Sequence, residues 1–159
     1  ARYRIKKAGE LLLSECATKE DCNKNILDIG FKSYKLDTSN IIPWDNTIRH
    51  TENTLLDYIE VFKENRSEED ILYEILLKIG LFDQKVDKIK INEKTVYSIG
   101  KGYSLICLHD NIDINDVRQI GKLNPVKVVF KESGFIDDNV KLNSLHTLKT
   151  LGVEEVLVI

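Results

Sequence analysis

Between residues 2 and 15 the apolar positions Ile5, Ala8 and Leu12 recur at helical spacing among basic residues, which predicts an N-terminal helix. Residues 18–25 are polar and read as a loop. Over residues 26–37 the side chains alternate, with Phe31, Ser33 and Lys35 set against Lys32, Tyr34 and Leu36, the period of a strand. Asn40, Pro43 and Trp44 end that run. Leu55, Leu56, Ile59 and Phe62 then form one helical stripe, and Ile71, Leu72, Ile75, Leu76 and Ile79 form a second. Ser67 followed by Asp70 has the spacing of a capping box, Glu68 and Glu69 suit a helix N-terminus, and Gly80 suits the position after a helix end. The two stripes predict a helical hairpin joined at residues 64–66.

From residue 86 the period shortens. Residues 86–91 and 95–99 read as strands about Asn92, Glu93 and Lys94, and Gly100, Lys101 and Gly102 turn the chain into a strand over residues 103–108. Asp113 can cap a helix that Pro125 stops near Lys122. Residues 126–130 form an apolar strand. Asp137 or Asp138 can cap a further helix, with Leu145, Leu148 and Leu151 inward and Gly152 at its end, before a last strand over residues 156–159. These elements predict an α/β protein: an N-terminal helix and strand, a helical hairpin, then a small β-hairpin plus a βαβαβ, mainly parallel sheet with right-handed crossovers. The boundaries fall at 1–45, 46–83 and 84–159.

Composition narrows the class. The chain of 159 residues is 42% hydrophobic and 31% charged, with 8 Gly and 2 Pro, the balance of a globular domain with a core of its own. No apolar run reaches the roughly 20 residues that span a bilayer, so no membrane partner is expected. Three cysteines, Cys16, Cys22 and Cys107, have no zinc spacing and read as reduced thiols of a cytoplasmic protein. There is no Met, which points to a fragment or a processed product. Charge is uneven. Residues 1–44 hold 8 Lys/Arg against 6 Asp/Glu, residues 45–83 hold 4 against 10, and residues 84–159 hold 11 against 10. Duplex DNA demands a basic stripe, and only Arg2, Arg4, Lys6 and Lys7 cluster, so any DNA contact by this chain is weak and falls there.

Candidate chemistry is sparse. Asp137, Asp138 and Lys141 have the residue types of metal-dependent nucleases, in which carboxylates hold magnesium and a lysine steadies the attacking water, but a helix cap accounts for the aspartates as well. Gly100, Lys101 and Gly102 lack the ending of a phosphate-binding loop, Ser133 and Gly134 do not make a nucleophile elbow, and His50, His109 and His146 have no metal spacing. Trp44 is either a stacking platform or a loop aromatic folded onto the core. No catalytic, cofactor-binding or metal residue is assigned.

Three stretches together carry a resemblance. Arg2-Tyr3-Arg4-Ile5-Lys6-Lys7-Ala8-Gly9-Glu10 resembles the Arg-Ile-x-x-Ala-Gly-Glu segment that follows the methyltransferase core in modification subunits of type III restriction–modification systems. Residues 28–45 (DIGFKSYKLDTSNIIPWD) resemble the next block of that family, and residues 128–143 (VVFKESGFIDDNVKLN), continued through Gly152 and the final strand, resemble its closing segment. Order and spacing agree along essentially the whole chain. The resemblance implies an S-adenosylmethionine-dependent adenine-N6 DNA methyltransferase that works as a homodimer and joins a helicase–nuclease restriction subunit. The family's Phe-x-Gly-x-Gly and Asp-Pro-Pro-Tyr motifs lie N-terminal to the matching region, and neither occurs here: Pro43 and Pro125 stand singly. This chain would then be the C-terminal portion, without a cofactor site, meeting DNA through the parent protein. Its own task would be assembly, as a dimerisation domain or as a dock for the restriction subunit. The rivals are a stand-alone nuclease-like domain resting on Asp137, Asp138 and Lys141, and an accessory DNA-binding module using the first helix. For assembly the candidate interface is Tyr58 and Val61, which extend apolar surface beyond the Leu55–Phe62 stripe, with Asp57, Glu60 and Glu64 as a polar rim.

Overall fold

A computed structural model of the chain describes residues 1–18, 28–42 and 61–159. The chain divides into two compact units, Ala1–Thr38 and Ser39–Ile159, each described by itself. The sequence reading set its boundaries at 45 and 83.

The first unit contains α1 (Arg2–Cys16). Gly9 is buried where α1 meets Ile29: a Cβ at that position would lie 3.1 Å from Ile29 Cβ, so only glycine allows this approach without adjustment. The strand predicted over residues 26–37 does not form in its described part. Residues 28–38 have no regular structure, held locally by the Gly30 N–H donating to Asp28 Oδ1 at 2.8 Å. Alternation is necessary for a strand but not sufficient, because a strand also needs a neighbour to take its backbone groups. No described segment supplies one here. Cys16 is disulfide-bonded, not the reduced thiol expected, and its partner lies outside the described residues; Cys107 is free and buried.

In the second unit Ile41 and Phe62 form an isolated antiparallel bridge, flanked by the Ile42 N–H donating to the Val61 carbonyl at 2.9 Å and the Lys63 N–H donating to the Asn40 carbonyl at 2.8 Å. This places Phe62, the last position of the first predicted helical stripe, outside a helix. Residues 61–63 are not helical, and Phe62 is buried by pairing with Ile41 instead of completing a stripe. Leu55, Leu56 and Ile59 lie outside the described residues. The second helix holds as predicted. α2 (Glu68–Lys78) begins in a full capping box between Ser67 and Asp70. It ends in a Schellman motif, with Gly80 at φ 75° and the Leu81 N–H donating to the Leu76 carbonyl at 2.8 Å.

The sheet comprises β1 (Val86–Ile91), β2 (Lys94–Ile99), β3 (Ser104–Cys107), β4 (Lys127–Phe130) and β5 (Glu155–Val158), in the spatial order of the sequence. β1, β2 and β3 pair antiparallel, while β3, β4 and β5 pair parallel through α3 (Ile114–Gly121) and α4 (Asp138–Thr150). It is a mixed sheet, the expected β-hairpin joined antiparallel to the expected parallel βαβαβ. Period-2 alternation builds its two cores. Val96, Leu105, Cys107, Val128 and Phe130 face α3 and α4, packing with Val117, Ile120 and Leu148. Tyr97, Ile99, Ile106 and Val129 face the other way and pack with Leu72, Ile75 and Leu76 of α2. The sheet is thus covered on both faces. Of the inward positions expected on α4, Leu148 is fully buried and Leu145 half-buried, whereas Leu151 is 39% exposed. Among the described residues no helix is long and apolar enough to cross a membrane.

Candidate functional site

In an α/β sheet, ligands gather beyond the carboxyl ends of the parallel strands, where the backbone leaves the ladder and the side chains are free to converge. Here that edge is formed by Leu108–Asp110 after β3, by residues 131–138 after β4, and by the start of α4. Beyond it open two hollows. One, of about 870 Å³, is lined by Ile42, Phe62, Lys63, Arg66, Leu108 and Lys131 among others. The other, of about 590 Å³, is lined by Val61, Glu132, Ser133, Phe135, Asp138 and Lys141 among others.

The charged groups of this edge are engaged with one another. Lys141 Nζ lies 2.8 Å from Glu132 Oε1 and 3.3 Å from Asp138 Oδ1, and Lys131 Nζ lies 3.3 Å from Asp110 Oδ1. Glu132 first, and then Asp138, hold the Lys141 ammonium above its ordinary pKa. Asp137 caps α4, its Oδ1 accepting the Val140 N–H at 2.7 Å. The structure therefore brings Asp137, Asp138 and Lys141 together, but it commits the first to a helix N-terminus and the lysine to ion pairs. Among the described residues no group of three His, Cys, Asp or Glu is placed to hold a metal ion. Ser133 and Gly134 lie in a 3₁₀ turn (Glu132–Gly134), and a Cβ on Gly134 would sit 2.5 Å from the His109 carbonyl oxygen. That glycine allows two backbones to touch, with the Ile112 N–H donating to the Gly134 carbonyl at 2.8 Å.

The same geometry tests the cofactor that the resemblance implies. S-adenosylmethionine would need a glycine turn at a strand end to let the backbone approach it. β3 runs into Leu108, His109 and Asp110, and β4 into Lys131, Glu132 and Ser133, while Gly134 is filled by the His109 carbonyl. These residues do not fit that cofactor.

Of the other residues singled out in the sequence, Arg2, Arg4, Lys6 and Lys7 are all exposed on α1, with Lys7 Nζ 5.7 Å from the Tyr3 ring centroid. Val61 is half-buried, and its carbonyl is spent on Ile42. It is not helical, contrary to the spacing expected of it. Tyr58, Asp57, Glu60, Trp44 and His50 lie outside the described residues. His109 and His146 are exposed. Gly100, Lys101 and Gly102, all at positive φ, turn β2 into β3.

Two polar clusters went unforeseen. Asp116, 3% exposed, accepts Lys94 Nζ at 2.5 Å, Asn92 Nδ2 at 3.0 Å and the Asp113 N–H at 3.1 Å. Burial raises its pKa, but the hydrogen bonds from Lys94, Asp113 and Asn92 outweigh burial and the net shift is downward. Glu74 on α2 accepts Ser39 Oγ at 2.5 Å and the Asn40 N–H at 2.6 Å, and it too has a net lowered pKa: these bonds and Lys78 outweigh its partial burial. Both clusters tie segments together, and neither carboxylate lines the two hollows. The capping-box spacing Asp113-x-x-Asp116 was a readable signal for part of the first. The second spans 35 positions and left no local trace.

No family model matches the chain, and no curated protein or solved structure matches it either.

Proposed function

We propose that the chain is the C-terminal portion of an adenine-N6 DNA methyltransferase of the type III modification-subunit kind, with the second unit acting in assembly. The observation that supports this is the apolar surface of the first unit. Tyr3, Ile5, Leu11, Leu12, Phe31, Tyr34 and Leu36 are all exposed, Leu36 at 97%. A self-contained domain does not leave so much large apolar surface in so short a stretch, and the end of a methyltransferase core, packed against the rest of that core, would. These residues lie in and between the two N-terminal stretches that carry the resemblance. The second unit has its own double core and engaged charges, which suits a module that binds the second modification subunit or the restriction subunit. DNA and S-adenosylmethionine would be met by the parent protein. This reading sets the protein in the cytoplasm with its DNA; the disulfide at Cys16 is the one observation that pulls the other way.

The test is a paired assay. The 159-residue chain is expected to show neither adenine methylation nor stoichiometric S-adenosylmethionine binding by calorimetry, whereas a polypeptide extended upstream of Ala1 through the natural gene should show both. A saturable cofactor site on the 159-residue chain would refute the assignment, as would an upstream sequence without the two missing motifs.

A further inference from the structure

The two hollows beyond the sheet differ in the sign of their lining. The smaller sets Glu132, Asp137 and Asp138 against Lys141 and is acidic. The larger, of about 870 Å³, sets Lys63, Arg66 and Lys131 against Glu64 and Glu68, one positive charge in excess. Exposure sharpens that excess. The three cations are half-buried and the two carboxylates are exposed, so water and salt screen the carboxylates more than the cations. The cations come from three separate segments: Lys63 follows the bridge at Phe62, Arg66 precedes the N-cap of α2, and Lys131 follows β4. None lies in the last turn of a helix, where the macrodipole alone attracts a cation. The stems of Lys and Arg pack on apolar surface, which accounts for their burial but not for the convergence of three of them on one hollow.

From this we infer that the larger hollow binds a small monocarboxylate with an apolar body, its carboxylate held by Arg66 and Lys131 and its body laid against Phe62, Ile71 and Leu108. A hollow of this size has room for far more than a carboxylate group, and those three side chains give it an apolar wall. The fork of Arg66 matches the two oxygens of a carboxylate. The contacts of the other two cations leave room for such a ligand. Lys63 Nζ donates to the Ser39 carbonyl at 2.7 Å, a neutral acceptor that leaves its charge uncancelled. Lys131 Nζ lies 3.3 Å from Asp110 Oδ1, and the Asp110 side chain is 66% exposed, so this is a weak pair that a ligand carboxylate can replace. One charge in excess suits a monoanion, not the dianion of a phosphate. The position agrees with the chemistry, since the hollow opens beyond the carboxyl ends of β3 and β4, where α/β sheets gather ligands. The inference gives the second unit a ligand of its own and does not rest on the assembly reading.

Heteronuclear NMR of the 159-residue chain, titrated in turn with octanoate, octylamine and inorganic phosphate, is the test. Octanoate is expected to give saturable shifts in the submillimolar range, centred on the Ile71, Leu108 and Lys131 amides. Octylamine has the same body and the opposite charge and should give none there, and phosphate should bind more weakly than octanoate. Arg66→Gln and Lys131→Gln should each weaken octanoate about tenfold, the scale of one lost hydrogen bond to a charged group, while amides away from the hollow keep their positions. Absence of saturable shifts with octanoate overturns the inference. So do shifts centred elsewhere, equal binding of octylamine, phosphate binding as tight as octanoate, or an octanoate affinity unchanged in both variants. Should either variant unfold, the three wild-type titrations still decide.

Discussion

The first and second units contain similar kinds of residue and put them to opposite use. In Ala1–Thr38, Cys16 is the only buried hydrophobic side chain among the described residues, and seven large apolar ones are exposed. In Ser39–Ile159 the apolar side chains of five strands and three helices close two cores; of the polar groups that go inside, Asp116, Asn40 and Ser144 have hydrogen-bond partners, while the Ser104 hydroxyl has none. The difference is one of neighbours and not of composition. In the first unit the described residues supply only a helix and an irregular segment, whereas in the second a sheet carries helices on both faces. Among the described residues the first unit closes no core of its own, and the second closes two.

Truncation gives the largest contrast between them. Leu76, wholly buried between α2 and the sheet, should cost about 2–5 kcal/mol as Leu76→Ala, because a cavity remains where the side chain was. Leu36→Ala in the same 159-residue chain should change stability by less than about 0.5 kcal/mol, since Leu36 has almost no contacts to lose. Urea unfolding of both variants measures the difference. If Leu36→Ala proves as costly as Leu76→Ala, the first unit has a core of its own and the comparison collapses. On the proposed reading, the same substitution in an upstream-extended polypeptide sharpens it: a cost that appears only there would mark Leu36 as buried by the added part.

How much of this was legible follows the same division. The second unit could be read almost element by element, because its signals are local and consistent: Ser67 with Asp70, Gly80, Asp113 and Asp137 mark helix ends that the backbone then uses. What was misread needed knowledge of a neighbour. The alternation over residues 31–36 is strand-like, but pairing is a property of two segments and no described segment pairs with this one. Phe62 fits a helical stripe by spacing and is buried by an extended bridge to Ile41 instead. Of the candidate site, the proximity of Asp137, Asp138 and Lys141 follows from their place on one helix start. Glu132, which takes the lysine, comes from the preceding strand end and could not be read from spacing.

The next effect in size concerns the buried carboxylate. Asp116→Ala leaves the Lys94 ammonium, only 21% exposed at its side chain, without its anion, and strips the Asp113 N–H of its acceptor at the head of α3. A loss of about 3 kcal/mol is expected, the range for removing one partner of a largely buried pair. Asn92→Ala, which removes a single neutral donor from the same carboxylate, should cost about 1 kcal/mol. Equal costs would mean that the cluster is not organised about the lysine. No residue of the first unit offers a comparable buried charge among those described, so this loss should be confined to the unfolding of the second unit.

The smallest effect is a pH dependence, and it too belongs to the second unit. Asp116 and Glu74 both have folded-state pKa values below their ordinary 3.8 and 4.5, so the unfolded chain binds protons first as pH falls. Their stabilisation is complete above those ordinary values and is lost as pH drops through the lower folded values. Stability measured from pH 6 downward should therefore stay level to about pH 5 and then decline. Glu74→Gln, which keeps the shape but not the charge facing Ser39, Asn40 and Lys78, should lower the plateau by about 1 kcal/mol and make the decline shallower. Glu74 lies on α2 and Ser39 at the head of the unit, so the clamp fastens the segment through Ile42 onto the sheet's helical cover. An acid profile identical in the wild type and Glu74→Gln would show that this carboxylate carries no folded-state charge interaction, and that the segment is held by its bridge to Phe62 alone.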